Sequence, residues 1–410
     1  MKIAFVSYEY PPDTAAGGIA TYVYQVTRLL QSGGHHVEVF AGSLDRSSIE
    51  VENGVIVHRM LLKERGRFPK MISQVFADRH QVIQFDVIEG PELDAEAREI
   101  IRCFPDLALV VKLHTPSFLM KQFYKAQFPL LTQLKLYLRD VIKRGEHPIR
   151  YWIYDPRHDV EYLHALNADE IVILTEGMTQ KVAKVWRLDP NKITCIPNPY
   201  IPSEKLLDIR VDTRTNVVTY IGWLTYRKGV IDLAKAIPQI LQKHPGTKFR
   251  FVGNPVVSPN RNLDMRQYLM QVLQAHRRSV EFIDAVPLEK IPSILAETDI
   301  CVFPSLWENF PNVCLEAMAA ARGVVGSSAG GMTEMLDFGR AGRLVRPHRP
   351  DLISLAVIEL LEQPELRMQL GQIARNRLLT EYSSTRIRPL LEASYERAIQ
   401  RRQLAGCRYQ

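Results

Sequence analysis

Apolar residues fall along this chain in two rhythms. Short, mostly apolar runs stand at 3–7, 37–41, 55–58, 85–89, 108–113 and 170–174, and again at 217–221, 248–252, 280–284, 300–304 and 323–326. Runs of this length suit strands buried on both faces, as in a parallel sheet. Helical periodicity separates several of them, from the Ala15-Ala16-Gly17-Gly18 stretch to about Gln31, at 92–103 and at 176–187, and returns in 351–382 and 384–403. Strand and helix in alternation specify a doubly wound parallel α/β sheet. Pro197, Pro199 and Pro202 punctuate 196–215, which lacks helical periodicity and marks a boundary. Two domains are expected, over 1–205 and 206–384.

Composition agrees with that division. A chain of 410 residues, 46% hydrophobic and 24% charged, is long enough for two domains of about 200 residues each. The opening MKIAFVSYEYPP is too short in apolar residues for a signal peptide, and no run approaches the ~18 residues of a membrane span. A cytoplasmic protein is expected. Cys103, Cys195, Cys301, Cys314 and Cys407 have no CxxC spacing and read as reduced core residues, with no metal site among them. The net charge of +7 favours an anionic partner, which nucleotide, anionic lipid and nucleic acid all satisfy.

The chemistry concentrates in PSLWENFPNVCLEAMAAARGVVGSSAGGMTE, residues 304–334. An apolar strand ends at Pro304, a loop follows, and Asn312 is placed to cap a helix running to Ala319. Ligands of α/β sheets bind at such strand-to-helix corners, and the unpaired N–H groups of a helix start suit a phosphate. Glu308 lies before the helix and Glu316 in its second turn. Each carboxylate can accept from the two hydroxyls of a sugar diol, or each can be a solvated surface group. Gly330-Gly331 opens a second such corner, ending at Glu334.

The order Pro-Ser, Glu-x7-Glu within Glu-Ala-Met-Ala, then a strand and Gly-Gly-x-x-Glu resembles the nucleotide-sugar site of the retaining glycosyltransferases of family 4. That resemblance implies the GT-B fold, two Rossmann-like doubly wound domains facing a central cleft, with a last helix at about 385–410 returning to the first domain. It implies a retaining transfer of a hexose-type sugar from a nucleotide-diphosphate-sugar to an acceptor hydroxyl, without cofactor or divalent metal, as in polysaccharide biosynthesis. The implied partners are the donor and a glycan or lipid-linked acceptor, not nucleic acid. Glu316 is assigned to the ribose, Glu308 with the Asn309 and Phe310 backbone to the hexose, and Asn312 and Val313 to the donor at the helix start. Nucleotide-sugar epimerases or hydrolases of the same fold, and a degenerate sugar-nucleotide-binding scaffold, are the alternatives.

Three further stretches matter. Gly17 and Gly18, between a strand and a helix, make a turn, or a loop whose backbone approaches a ligand; the family carries a glycine loop against the donor here. His114 closes the run 108–113 and either caps the next helix or, as the resemblance implies, lies near the transferred sugar. At the corner Gly222-Trp223-Leu224-Thr225-Tyr226-Arg227-Lys228-Gly229, cations can neutralise a leaving diphosphate. Lys228-Gly229 matches the family, whereas Trp223 stands where its first arginine is expected, so Arg227 is assigned as a second source of charge. The basic and aromatic segment 118–152 is either a solvated helix face or a peripheral contact with an anionic membrane on its inner face.

Overall fold

The computed structural model describes residues 1–14, 17–126, 128, 130–131, 133–135, 137–138, 154–260 and 262–406. The chain forms two compact units, one of Met1–Met120, Arg144–Ile201 and Tyr382–Gln410, the other of Lys121–Lys143 and Pro202–Glu381.

In the first unit, β1 (Lys2–Ser7), β2 (His36–Ser43), β3 (Ser48–Glu52), β4 (Val55–Leu61), β5 (Val87–Pro91), β6 (Ala108–Leu113), β7 (Glu170–Ile173) and β8 (Ile193–Cys195) form one sheet. Its order is β3-β4-β2-β1-β5-β6-β7-β8, and every pair is parallel except β3 with β4. Strands β5, β6 and β7 are buried along their whole length, which is why they carry no polar alternation. Edge strand β3, in contrast, exposes Ile49 and Val51 and alternates with acids, so its sequence gave no buried-strand signal.

The segment 92–103, expected as one helix, is a short 3-10 turn at Leu93–Ala95 followed by a helix at Arg98–Cys103. Asp94 and Ala95 have φ of +56° and +51°, which interrupts helical geometry. Tertiary bonds impose this: Glu92 accepts from the N–H groups of His114 and Thr115, and Glu96 accepts from Tyr8 N–H and Arg65. Among the cysteines, Cys301 and Cys314 are buried, but Cys195 is half-buried and Cys103 exposed, so the expectation of core residues fails for Cys103. Cys103 ends a short helix whose apolar face is already filled by Ile100 and Ile101. Cys407 lies outside the described residues.

The second unit is a six-stranded parallel sheet of β9 (Val217–Ile221), β10 (Lys248–Val252), β11 (Val280–Ile283), β12 (Ile300–Phe303), β13 (Gly323–Ser327) and β14 (Arg343–Val345). Its order is β11-β10-β9-β12-β13-β14. The step from β9 outward to β10 on one side and to β12 on the other makes the carboxyl ends of these strands a topological switch point. The helix Val230–Lys243 buries Val230, Leu233, Ile237 and Ile240 against this sheet.

The last helix, Ser384–Ala405, belongs to the first unit and packs on β6 and β7. Its Tyr395 hydroxyl donates to Glu89 Oε2 at 2.7 Å, while Tyr22 donates to Glu89 Oε1 at 2.7 Å. Glu89 is buried, and burial raises its pKa against the pull of nearby Lys112. Loss of one donor from a buried carboxyl costs about 1–3 kcal/mol. Tyr395→Phe is accordingly expected to lower unfolding stability by about that amount, read from the denaturation midpoint. An unchanged midpoint would show that the bond contributes nothing net.

Candidate functional site

The densest polar chemistry of the second unit lies at the carboxyl ends of β9, β12 and β13. The turn Tyr226–Lys228 follows β9 and is fastened to the loop after β12, since Leu306 N–H donates to Arg227 O at 2.7 Å. Gly229 has φ +70°, and a Cβ there would fall 1.9 Å from Pro304 O, so only glycine allows this approach. The loop after β13 closes from the other side. Gly331 N–H donates to Glu308 O at 2.9 Å, and Gly330, at φ +89°, would place a Cβ 2.1 Å from that same oxygen.

Glu308 thus has its backbone held by one loop and its side chain by another. Lys228 Nζ and Arg227 Nη1 both bond Glu308 Oε2, the latter at 3.1 Å, and Arg227 also donates to Trp307 O at 3.2 Å. Burial alone would raise the Glu308 pKa, but the charges of Arg227 and Lys228 outweigh it and hold the carboxyl at about 2. Burial lowers Lys228 from its ordinary value, with Glu308 opposing. Two cations around one carboxylate leave a net positive corner, suited to an anionic ligand group.

The helix after the loop spans Asn312–Ala319, and its N-cap is Pro311 rather than Asn312. Pro311 has φ −74° and ψ 123°, the extended geometry of a cap, and the proline ring fixes that φ. Asn312 becomes the first helical residue, and no side chain caps this helix start. Asn309 and Phe310, in the loop, are buried.

Glu316 differs from Glu308 in every respect. It is 7% exposed, and its Oε2 has no hydrogen-bond partner among the described residues. Burial raises its pKa to about 8. It lines a cavity of about 170 Å³ with Trp223, Val252, Val286, Leu288 and Val313. Glu308 is not in that lining. A larger open concavity of about 940 Å³, beside Pro238, His276, Arg277 and Ser279, lies at the amino ends of β10 and β11. Sheets of this kind bind ligands at the other end.

The remaining candidates belong to the first unit. Gly17 caps the helix Gly18–Ser32 with φ −167°, ordinary extended backbone, and no side chain caps this helix. A Cβ on Gly18 would meet nothing within 4 Å, and one on Gly17 only Glu9 Oε2 at 3.6 Å. Among the described residues, neither packing nor dihedral angle demands glycine at these two positions. Ala15 and Ala16 are outside the described residues.

His114 follows β6, with its N–H donating to Glu92 Oε2 at 2.9 Å and its ring edge-on to Tyr22 at 5.2 Å. Tyr22 lies one turn into the helix that Gly18 opens, so the fold brings the glycine loop and His114 together. Burial, then Lys112, lowers the His114 pKa to about 3. The imidazole is neutral at physiological pH, a hydrogen-bonding group rather than a cation. Glu92, which anchors this loop through both carboxyl oxygens, went unnoticed in the sequence; its one signal was an acid at the end of a strand adjacent to that of His114.

Much of 118–152 lies outside the described residues. Among the described residues no helix is long and apolar enough to cross a membrane, and no three His, Cys, Asp or Glu side chains group as metal ligands.

The Glu316 pKa gives a pH signature. A carboxyl raised from 4.5 to about 8 by burial adds no penalty below 4.5, and its penalty to stability grows as pH rises from 4.5 until it is complete above about 8. Glu316→Gln should therefore lose less thermal stability than the parent protein between about pH 5 and 9. Parallel melting curves would refute this.

Residues 16–204 match the family description Glycosyltransferase Family 4, and residues 215–363 match Glycosyl transferases group 1. The chain is 25% identical over 399 residues to an uncharacterized glycosyltransferase of Methanocaldococcus jannaschii, covering 93% of this chain and 95% of that one. Sucrose-phosphate synthase from Thermosynechococcus elongatus superposes with a TM-score of 0.74 at 20% identity, covering 97% and 99% of the two chains. Anabaena HepE, whose crystal structure is a complex with UDP and glucose, superposes with a TM-score of 0.69 at 16% identity, covering 97% and 99%. Both matched descriptions, which together span most of the chain, and the two parallel sheets agree: this chain belongs to the group 1 glycosyltransferases of family 4 and has the GT-B fold.

Proposed function

We propose that this glycosyltransferase moves a hexose-type sugar from a nucleotide-diphosphate-sugar to a hydroxyl of a glycan, lipid-linked sugar or small molecule, with retention of configuration and no divalent metal. The observation that carries this reading is Glu316, a buried carboxyl group whose Oε2 has no hydrogen-bond partner among the described residues and which lines a mostly apolar cavity. Unpaired buried carboxylates are costly, and a ribose diol supplies the two donors that Glu316 lacks.

The diphosphate then falls to Arg227 and Lys228 with the N–H groups of Asn312 and Val313, and the hexose to Glu308 with the Asn309–Phe310 backbone. Gly17, Gly18 and neutral His114 contribute donor and sugar contacts from the first unit. The bond from the sugar's anomeric carbon to the phosphate oxygen breaks with its electron pair going to phosphate. The acceptor oxygen bonds the same face of that carbon, and its proton passes to the departing phosphate. Arg227 and Lys228 stabilise the charge that grows on the phosphate in this step, the role a metal would otherwise fill. The complex of HepE with UDP and glucose supports the donor class by analogy of fold.

The test is a panel of UDP-, GDP- and ADP-sugars with candidate acceptors, the product anomer read by proton NMR. Retention, activity unaffected by EDTA, and a turnover loss of about 10²–10³ in Lys228→Ala are expected. An inverted anomer, or activity restored only by a divalent ion, would overturn the corresponding part. Donor consumption without acceptor would assign the chain to hydrolysis or epimerisation instead.

A further inference from the structure

We propose that Trp223 is a specificity-determining residue that stacks on the nucleoside of the donor, a role that rests on the nucleotide-sugar reading of the site above. The backbone around Trp223 is pinned on three sides. Gly222 N–H donates to Val252 O at 2.9 Å, Leu224 N–H donates to Asn254 O at 2.9 Å, and the Tyr220 hydroxyl donates to Trp223 O at 2.8 Å. The indole therefore projects from a rigid base.

Trp223 is 51% exposed, whereas Trp307, in the loop after β12 of the same unit, is 3% exposed. Full burial of an aromatic side chain contributes about 1.5–3 kcal/mol, so a tryptophan held half outside the core forgoes part of that. What it gains is a place in the wall of the Glu316 cavity. This wall combines the aromatic Trp223, apolar Val252, Val286 and Leu288, polar Asn254, and Glu316, whose Oε2 has no hydrogen-bond partner among the described residues. A nucleoside presents the matching pair, a planar base and a vicinal diol.

Charge points the same way. With an indole at 223, the cations of this corner are Arg227 and Lys228, and both are bonded to Glu308. Binding then draws more on stacking and less on Coulomb attraction than it would with a third cation. The position selects for the nucleoside and relaxes the demand on the phosphates.

Trp223→Ala, Trp223→Phe, Trp223→Arg and Glu316→Ala, checked for native circular dichroism, would be titrated calorimetrically with UDP, GDP and ADP at about 0.05 and 0.5 M salt, where screening differs strongly. The alanine variant should bind the preferred nucleotide roughly tenfold more weakly, or about 1.4 kcal/mol, and the phenylalanine variant within a few-fold of the parent. The arginine variant should show the steeper salt dependence. Independently, nucleotide should quench the parent's tryptophan fluorescence, and this quenching should be lost in Trp223→Phe. Binding by Trp223→Ala within about two-fold of the parent, while Glu316→Ala binds nothing, would overturn the role of Trp223 and leave the site intact. Failure of the parent to bind any of the three nucleotides would instead overturn the nucleotide-sugar reading and this inference with it.

Discussion

The contact of Glu308 with Lys228 and Arg227 is the constraint on which the second unit's active corner depends. Three loops, from the ends of β9, β12 and β13, meet there, and each is joined to the next through Glu308 or its immediate neighbours. Removing an ionised carboxylate from water is unfavourable, and the burial of Glu308 is sustained because two cations compensate it. The same contact stores positive charge beside a helix start whose N–H groups have no side-chain cap. A corner assembled this way is held in place by contacts within the second unit itself.

Eight positions along the chain, Glu316 meets the opposite surroundings. Glu308 is held near 2 by cations, whereas Glu316 is driven to about 8 by burial alone. Identical side chains are thereby given opposite electrostatic character. Its two cations keep Glu308 ionised, while Glu316 Oε2 has no hydrogen-bond partner among the described residues. Trp223 lines the same cavity as Glu316.

The first unit uses buried acids structurally. Glu89 ties the last helix to the first through two tyrosine hydroxyls, and Glu92 ties the end of β5 to the end of β6. Their consequence for the site is positional: Tyr22 sits between the Glu89 network and the His114 ring. The neutral state of His114 follows from burial and from Lys112, both set by this packing.

What the sequence by itself determined was whatever depends on local pattern. Short, mostly apolar runs announced ten of the parallel strands within two residues of their ends, because a strand buried on both faces favours apolar side chains along its length. Ordered motifs announced Glu308, Glu316, Lys228 and the glycine pairs, because their spacing is tied to one strand-to-helix corner. Edge strand β3 and the three-residue strands β8 and β14 escaped, since an edge or a short pairing imposes little on composition. The cap at Pro311 escaped as well, because propensity favours asparagine while the loop's path decides where the turn begins. Only the tertiary structure decided that the 92–103 segment breaks, that Glu308 is paired while Glu316 Oε2 has no partner among the described residues, and that Trp223 shares a cavity with Glu316. Each of these turns on burial and on partners distant in sequence, and solvation and Coulomb energy are properties of the surroundings that folding assembles, not of the residue type.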